Sequence, residues 1–422
     1  MFKRRGVAVL LVLVLTMGLL FTVSGESSAI FGLFEDKEDE ASADAIKVGT
    51  LVPLTGGLAS YGQVCQQATV LAEETINEQG GLLDGQPLKL VHMDTHTNPQ
   101  AGVDAAQKLV SVNGVPAFVG ALSSGVTIPV AKSVAVPNEV VQISPSSTSP
   151  VITDLADNDF IYRTVPSDSL QGVVAGNLAA DLDYDTMSII YVNNDYGKGL
   201  SQAVAKQFEE RGGEVTASIG FEPNKASYRG ELQKAAQGNP DVLFLIAYTD
   251  NGGITIVRQS LEGGFFDEFL FSDGLKAPEI VAGIESYLEG MHGVAPTSMP
   301  GGQGSEIFKS DYKEKFGEVP PKPYMDTSYD ATFVIAMGIE KAGQATGPAI
   351  KKALADLLDL DGATVTVGEW AKAKKLISEG KKIRYEGASG PILFNEAGDV
   401  KGAIGIWKVE DGDIVDDDVI VQ

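Results

Sequence analysis

The hydrophobic pattern of this chain alternates between short apolar runs and longer amphipathic stretches. The apolar runs predict strands, and stretches whose apolar positions recur at helical spacing predict helices. Strand, helix and strand in this order indicate βαβ units and therefore a parallel sheet. The first series has strands at 46–51, 88–93, 115–119 and 140–143, with helices at 63–79, 98–111 and 126–134 between them.

The same alternation starts again at residue 187, which predicts an α/β fold with two doubly wound lobes rather than one long sheet. In such folds ligands bind in the crevice at the carboxyl ends of the strands, so the loops after strands in both lobes are candidate contacts. The second series has strands at 187–192, 214–221, 242–247 and 268–272, with helices at 200–211, 227–237 and 254–262.

The remainder of the chain has a different pattern. The block at 312–382 is predicted to be mostly helical, and strand patterns return near the end, with a turn at 395–399 between them. The acidic run at 410–418 is expected to be solvated. The helices of this block are predicted at 330–342, 349–358 and 367–379, and the strands at 391–394 and 402–409.

The N-terminus carries three basic residues, then an apolar run at 6–23 and small residues. This order predicts an export signal at residues 1–29, although the run is also long enough to remain as a membrane anchor. Residues 30–45 are predicted to be an acidic linker. An exported protein with a formal net charge of −25 is not expected to bind nucleic acid or an anionic membrane. With Cys65 as the only cysteine, no intrachain disulfide can form.

Two turns rich in small hydroxyl residues, at 119–125 and 142–150, follow predicted strands. The first leads into the helix at 126–134, with Pro129 expected in its opening turn, where a missing N–H is tolerated. Hydroxyls, free backbone N–H groups and the helix dipole all favour an anion there. A phosphate loop would have more glycine and a lysine, so a small carboxylate fits better. The alternative is that these residues only cap the helix and the turn.

Several short motifs, in their order and spacing, resemble one family. The chain is similar over nearly all of residues 46–422 to the leucine/isoleucine/valine-binding type of periplasmic substrate-binding protein, which serves ABC importers. The motifs are Pro53-Leu54-Thr55-Gly56, Tyr61-Gly62, Ser123-Ser124, Ile143-Ser144-Pro145 with Thr148, Arg163-Thr164 with Asp168, Asp195-Tyr196-Gly197 and Tyr329-Asp330.

The resemblance implies the type I periplasmic binding protein fold, in which two lobes joined by three hinge crossovers close around an amino acid. Lobe 1 would comprise 46–165 plus 298–385, and lobe 2 would comprise 166–297 plus 386–422. It also implies an exported, monomeric receptor that has no enzymatic activity, no cofactor and no metal. Such a receptor hands its ligand to the membrane subunits of an ABC importer.

The resemblance also assigns nine ligand-binding residues. An acid at position 273 departs from the usual glutamate, and the segment at 368–382 lengthens the region before the third crossover. The assigned residues are Ser123, Ser124, Ser146 and Thr148 for the ligand carboxylate and part of its ammonium, Tyr196 and Tyr248 as aromatics that close over the ligand, Asp273 for the ammonium, and Tyr61 and Tyr324 for the side-chain pocket.

The chemistry of a zwitterion supports this assignment, because both buried charges must be matched. The hydroxyl turns would take the carboxylate, and Asp273, at the end of the strand 268–272, would take the ammonium. Alternatively, Asp273 only forms a turn with Gly274, and the tyrosines only pack. A ligand without an ammonium, such as an aromatic acid or a urea-like amide, is the second interpretation in the same fold.

Two interpretations come from other classes of protein. A dinucleotide-binding enzyme would need Gly-x-Gly-x-x-Gly after the first strand, and residues 49–62 lack it. A signalling ectodomain would be followed by a second membrane segment or a kinase. His92, Asp94 and His96 could bind zinc, although surface placement is expected because no third strong ligand lies near in sequence. Cys65 is expected in the core.

Overall fold

The computed structural model describes residues 45–422. The export signal or anchor predicted at 1–29, and all but the last residue of the linker predicted at 30–45, lie outside the described residues. Within the described part of the chain, none of the helices is both long enough and apolar enough to span a membrane.

The first half of the alternating pattern forms a five-stranded parallel sheet in the order β2-β1-β3-β4-β5. Because the order reverses between β1 and β3, the loops after these strands border a crevice at their carboxyl ends. The elements are β1 Ile46–Val52, α1 Ala59–Glu78, β2 Leu88–Asp94, α2 Pro99–Ser111, β3 Ala117–Gly120, α3 Ser124–Val130, β4 Val141–Ser144 and β5 Ile161–Arg163.

The second half forms a seven-stranded sheet in the order β15-β14-β10-β9-β8-β6-β7. Strands β6 to β10 are mutually parallel, and the last two strands of the chain add antiparallel at one edge. The elements up to β10 are α4 Asp168–Asp181, β6 Thr186–Val192, α5 Asp195–Glu210, β7 Glu214–Phe221, α6 Arg229–Ala235, β8 Val242–Ile246, α7 Gly253–Gly263, β9 Phe269–Phe271, α8 Glu285–Leu288 and β10 His292–Thr297.

The rest of the chain is less helical than its pattern predicts, because β12 pairs with β11 on one side and with β13 on the other in a small third sheet. The lengthened segment forms α12, whose buried Trp370 donates from Nε1 to the Gly81 carbonyl 2.8 Å away. The elements are α9 Gln303–Phe316, α10 Met325–Ala342, α11 Gly347–Leu357, β11 Leu358–Thr366, α12 Trp370–Ser378, β12 Ile383–Glu386, β13 Pro391–Ile392, β14 Ala403–Glu410 and β15 Asp413–Val421.

The acidic run at 410–418 is largely exposed, as expected, but most of it belongs to β15, an edge strand that pairs with β14 through backbone bonds. One local expectation is wrong. Pro129 does not lie in an opening turn, because α3 begins at Ser124 rather than Val126. The proline therefore removes a bond inside the helix, and the chain continues as a π-helical turn, Ala131–Ala135.

Buried apolar side chains form two clusters, one under each large sheet. Together these cores bury the near-continuous apolar strands that the pattern predicted. The cluster under the seven-stranded sheet also contains residues from the other half of the molecule, so the two lobes are in close contact. These residues are Val52, Leu58, Tyr61, Cys65, Leu122 and Tyr324.

The chain passes between the two lobes three times. The first crossover lies between β5 and α4, the second between β10 and α9, and the third between β13 and β14. Arg163, at the end of β5, pairs with Asp399 of the third crossover at 2.6 Å. The first and third crossovers are therefore bonded to each other beside the cleft.

Candidate functional site

Residues from both lobes surround a small cavity between the carboxyl ends of the two sheets. The cavity volume is about 20 Å³, which is room for about one water molecule. A ligand as large as an amino acid therefore requires these side chains or the lobes themselves to move apart. The cavity is lined by Leu58, Tyr61, Leu122, Ser124, Ser146, Tyr196, Tyr248, Asp273, Gly274 and Tyr324.

The turn at 144–149 is held by hydrogen bonds from its serine hydroxyls to the backbone of the loop after β3. Ser144 Oγ donates to the Ala121 carbonyl at 2.6 Å, and Ser146 Oγ donates to Leu122 at 2.8 Å. The Ser147 hydroxyl reaches the same two carbonyls. These three hydroxyls therefore stabilise the turn, which is the alternative role that the sequence left open for them.

The hydroxyls of Ser123, Ser124 and Thr148 do not bond to the carbonyls of the loop after β3. Ser124 lies in the first turn of α3, and its Oγ accepts from the Ser149 N–H at 3.2 Å. The hydroxyls of Ser123 and Tyr248 are 3.0 Å apart, so this contact joins the two lobes. Thr148 Oγ1 is buried without a hydrogen-bond partner. Because a buried hydroxyl normally has a partner, Thr148 is the one with unused bonding capacity.

Arg163 fixes the backbone of the second turn. Its side chain is fully buried, and its Nη1 donates to the carbonyls of Thr148 and Ser149, each at 3.0 Å. Its Nε is bonded to Asp399, which compensates the buried charge. The shape of the hydroxyl turn thus depends on an acid from the third crossover.

The tyrosines pack around the carboxyl of Asp273. Tyr196 and Tyr248 are stacked with their ring centroids 5.4 Å apart. The Tyr196 hydroxyl donates to Asp273 Oδ1 at 2.6 Å, and the Tyr324 hydroxyl donates to Oδ2. Tyr61 donates more weakly to the Asp273 carbonyl at 3.4 Å.

Asp273 begins a short 3₁₀ turn after β9, as an acid that precedes glycine often does, and its side chain points at the cavity. Gln171 Nε2 gives the carboxyl a third donor at 2.7 Å. Burial raises the pKa of Asp273, while the bonds from Tyr196, Tyr324 and Gln171 oppose this shift. The carboxyl is therefore held by donors that carry no positive charge.

A second buried acid, Asp168, lies in the first turn of α4 close enough to interact with Asp273. It is fully buried, and neither carboxyl oxygen has a hydrogen-bond partner. Burial, and then the charge of Asp273, raise the pKa of Asp168 well above its usual value. Among the described residues, neither Asp168 nor Asp273 forms an ion pair with a lysine, arginine or histidine.

The structure brings most of the predicted residues together. Seven of the nine line the cavity, Ser123 adjoins it through Tyr248, and Thr148 lies outside the lining. The sequence did not assign Leu58, Leu122, Gly274 or Gln171 to this site. Asp168 belonged to one of the motifs that carry the resemblance but had no assigned role, and it lies in the first turn of α4.

The histidine pattern on β2 has a structural role. Asp94 Oδ1 accepts from the backbone N–H groups of Leu54 and His96, at 2.9 Å and 2.8 Å, which ties the loop after β1 to β2. Over residues 45–422, no group of three or more His, Cys, Asp or Glu side chains is arranged to hold a metal ion. Cys65 is fully buried, as predicted.

Comparison with known proteins places these features in one family. A family model described as periplasmic binding protein matches residues 45–403. The leucine-, isoleucine-, valine-, threonine- and alanine-binding protein of Pseudomonas aeruginosa is 30% identical over 74% of this chain and 83% of its own length.

Solved structures show the same fold. A leucine-binding protein from Thermotoga maritima has a TM-score of 0.76 and 25% identity, over 89% of this chain and 99% of its own. A solute-binding protein of an ABC transporter from R. palustris, in complex with benzoate, has a TM-score of 0.70 and 18% identity, over 89% and 96% of the two chains. These similarities confirm the predicted fold class and the resemblance. The chain belongs to the periplasmic binding protein family, whose members bind substrates and are not enzymes.

Proposed function

We propose that the chain is an exported receptor that captures an amino acid with an apolar side chain between its lobes and delivers it to an ABC importer. The P. aeruginosa relative is named for binding leucine, isoleucine, valine and alanine as well as threonine, and the T. maritima structure is named for leucine. Leu58 and Leu122 provide apolar walls for the side chain. Tyr61 and Tyr324 would shape the same part of the pocket.

The observation that carries the proposal is the pair of buried acids, Asp168 and Asp273. Two carboxyls that share a buried site disfavour each other's charge, so a cation between them is strongly stabilised. An ammonium supplies that cation, whereas a ligand with only a carboxylate would add a negative charge to a site that already disfavours one. The ligand carboxylate would meet Ser124, which lines the cavity from the other lobe, whereas Thr148 lies beside Asp168, whose N–H donates to the Thr148 carbonyl at 2.8 Å.

A second candidate ligand is an aromatic acid. Four tyrosines around one cavity can hold a ring, and the related structure from R. palustris contains benzoate. The raised pKa of Asp168 supports this alternative, because a neutral carboxyl could donate a hydrogen bond to an acid. The two candidates differ in whether the ligand must carry an ammonium.

Calorimetric titration with L-leucine and with its deaminated analogue, isocaproate, tests the proposal. Removing one partner of a buried charge pair costs about 2–5 kcal/mol, so Asp273→Ala should weaken L-leucine binding by roughly thirtyfold or more. Asp273→Asn keeps the shape and removes the charge. Asp104→Ala, at an exposed acid on α2, is the matched control and should bind as the unchanged protein does.

The analogue distinguishes the two ligands. The unchanged protein should bind isocaproate much more weakly than L-leucine, and the two should become similar in Asp273→Ala. Equal binding of L-leucine by Asp273→Ala and by the unchanged protein would contradict the role of this acid. Binding of benzoate but not of L-leucine would favour the aromatic acid.

A further inference from the structure

The beginning of helix α10 is bonded to the first two crossovers and to the turn before β13, the strand that leads into the third. Thr164 of the first crossover donates from Oγ1 to the Thr327 carbonyl at 2.8 Å. Ser298 of the second crossover donates from Oγ to Asp326 Oδ2 at 2.7 Å. Asp330, one turn further along the helix, holds the turn before β13, from which the third crossover leaves. Two crossovers and the approach to the third are therefore bonded to two turns of one helix.

Asp330 is fully buried, and its carboxylate accepts four hydrogen bonds from the segment before the third crossover. Oδ1 accepts from the Tyr385 hydroxyl at 2.9 Å and from the Ala388 N–H at 2.8 Å. Oδ2 accepts from the Ser389 N–H at 2.8 Å and from its hydroxyl at 2.6 Å. One side chain thus satisfies two backbone donors that no other group reaches.

The turn held by this carboxylate also contacts the second crossover. Gly387 donates to the Gly390 carbonyl at 2.8 Å and closes the turn, and the Ser389 carbonyl accepts from the Met299 N–H at 2.8 Å. A Cβ on Gly387 would lie 2.4 Å from Asp330 Oδ1, so only glycine allows the turn to sit this close. The second crossover is therefore bonded to a turn that Asp330 positions and that leads, through β13, into the third crossover.

We propose that Asp330 is the positioning residue of the hinge: its carboxylate fixes the 387–390 turn against α10 and thereby sets the relative orientation of the two lobes. Tyr324, which precedes the same helix, contacts Asp273 in the cavity, so the helix end also adjoins the ligand site. The inference concerns lobe geometry and does not depend on which ligand is bound.

An asparagine at this position cannot replace the carboxylate. Its amide has one oxygen, so its NH₂ group would face N–H donors that then lose their acceptor. Burial raises the pKa of Asp330 to about 7, against the opposing effect of its four hydrogen bonds. The titratable groups around it are the Tyr385 hydroxyl from β12, and Tyr329 and Asp326 on its own helix. Measurements at about pH 8.5 keep the carboxyl ionised.

Distances between spin labels on the two lobes, measured by pulsed electron paramagnetic resonance without ligand, test the proposal. Val112 and Tyr287 are exposed positions on different lobes and can be changed to cysteine in a Cys65→Ala background. Asp330→Asn should broaden the distance distribution at least twofold or shift its mean. Glu340→Gln is the control, because Glu340 lies on the same helix and accepts from the Leu83 N–H, away from the crossovers.

A purely structural role would lower the melting temperature of Asp330→Asn and leave the distance distribution of the folded protein unchanged. That result would overturn the proposal. If Asp330→Asn does not fold, Tyr385→Phe and Ser389→Ala each remove a donor from the other side of the contact. Each should broaden the distribution less than twofold but more than Glu340→Gln does, and no change in either would overturn the proposal.

Discussion

At the residue scale, buried charges are matched within the protein or left for a ligand. Arg163 is matched by Asp399 and by backbone carbonyls of the hydroxyl turn. Within the described residues, Asp168 and Asp273 form no ion pair, although the charge of Arg163 opposes the rise in the pKa of Asp168. A buried ion that lacks a counter-ion raises the free energy of the folded state, and proteins retain this arrangement mainly at functional sites. The contrast between the two kinds of acid supports a cationic group on the ligand.

Asp399→Asn should lower the free energy of unfolding by about 3 kcal/mol, because it leaves the Arg163 guanidinium buried without a counter-ion. Urea denaturation measures this change. Glu262→Gln is a suitable control, since its pair with Arg229 is exposed on both sides and contributes little. An equal, small effect of both substitutions would show that the carbonyl oxygens alone satisfy Arg163.

The pattern of strands places Ser124 and Asp273 near the cavity, because both lie in the segments that follow strands and the crevice rule applies to them. Tyr61, Tyr196 and Tyr324 were assigned through the resemblance to the family, and Tyr324 follows a helix rather than a strand. Gln171 reaches Asp273 across 102 positions through the packing of α4, and nothing in its local sequence indicates that contact. The partly structural use of the serine hydroxyls likewise depends on how closely the loops after β3 and β4 approach each other.

At the element scale, the apolar runs predicted the strands of both sheets well because parallel strands buried on two faces are nearly continuous in apolar residues. Strands β5, β10, β11, β12 and β15 were not predicted. In β11 and β15 acidic residues interrupt the apolar pattern and many positions are exposed, so the pairing of these two strands rests on their neighbours rather than on their own burial. The charged side chains of β15 also protect an edge that could otherwise pair with another chain.

Gly199, inside helix α5, marks a place where the lobes touch. A Cβ there would lie 2.8 Å from Pro150 Cδ on the other lobe. Gly199→Ala should stabilise the helix by about 0.5–1 kcal/mol, because alanine is the better helix former. The same methyl group should hinder closure and weaken L-leucine binding by roughly tenfold.

Calorimetric titration and urea denaturation of the same variant separate these two effects. Gly230→Ala, in helix α6, is the control, because an added Cβ there meets nothing within 4 Å. If Gly199→Ala binds L-leucine as tightly as the control does, the contact with Pro150 is not part of the bound form.

At the scale of the whole molecule, two lobes of similar construction are connected by three crossovers, and the cavity has walls from both. Its small volume means that a ligand must enter when the lobes are apart. Affinity then depends on the equilibrium between separated and closed lobes as well as on the contacts in the cavity. The hinge contacts of α10 and the site contacts of Tyr324 act on that same equilibrium.

The burial of Cys65 has a practical consequence. This thiol lies on α1 of one lobe, yet it packs in the apolar cluster of the other, with its Sγ 3.4 Å from the Tyr324 carbonyl. Burial raises its pKa to about 12, so it should be inert to a disulfide reagent until the lobes part. The rate at which the Cys65 thiol is modified should then be proportional to the fraction of the unchanged protein whose lobes are separated. L-leucine at 100 times its dissociation constant should slow that rate about a hundredfold. Because Cys65 is the only cysteine of the sequence, the measurement requires no substitution.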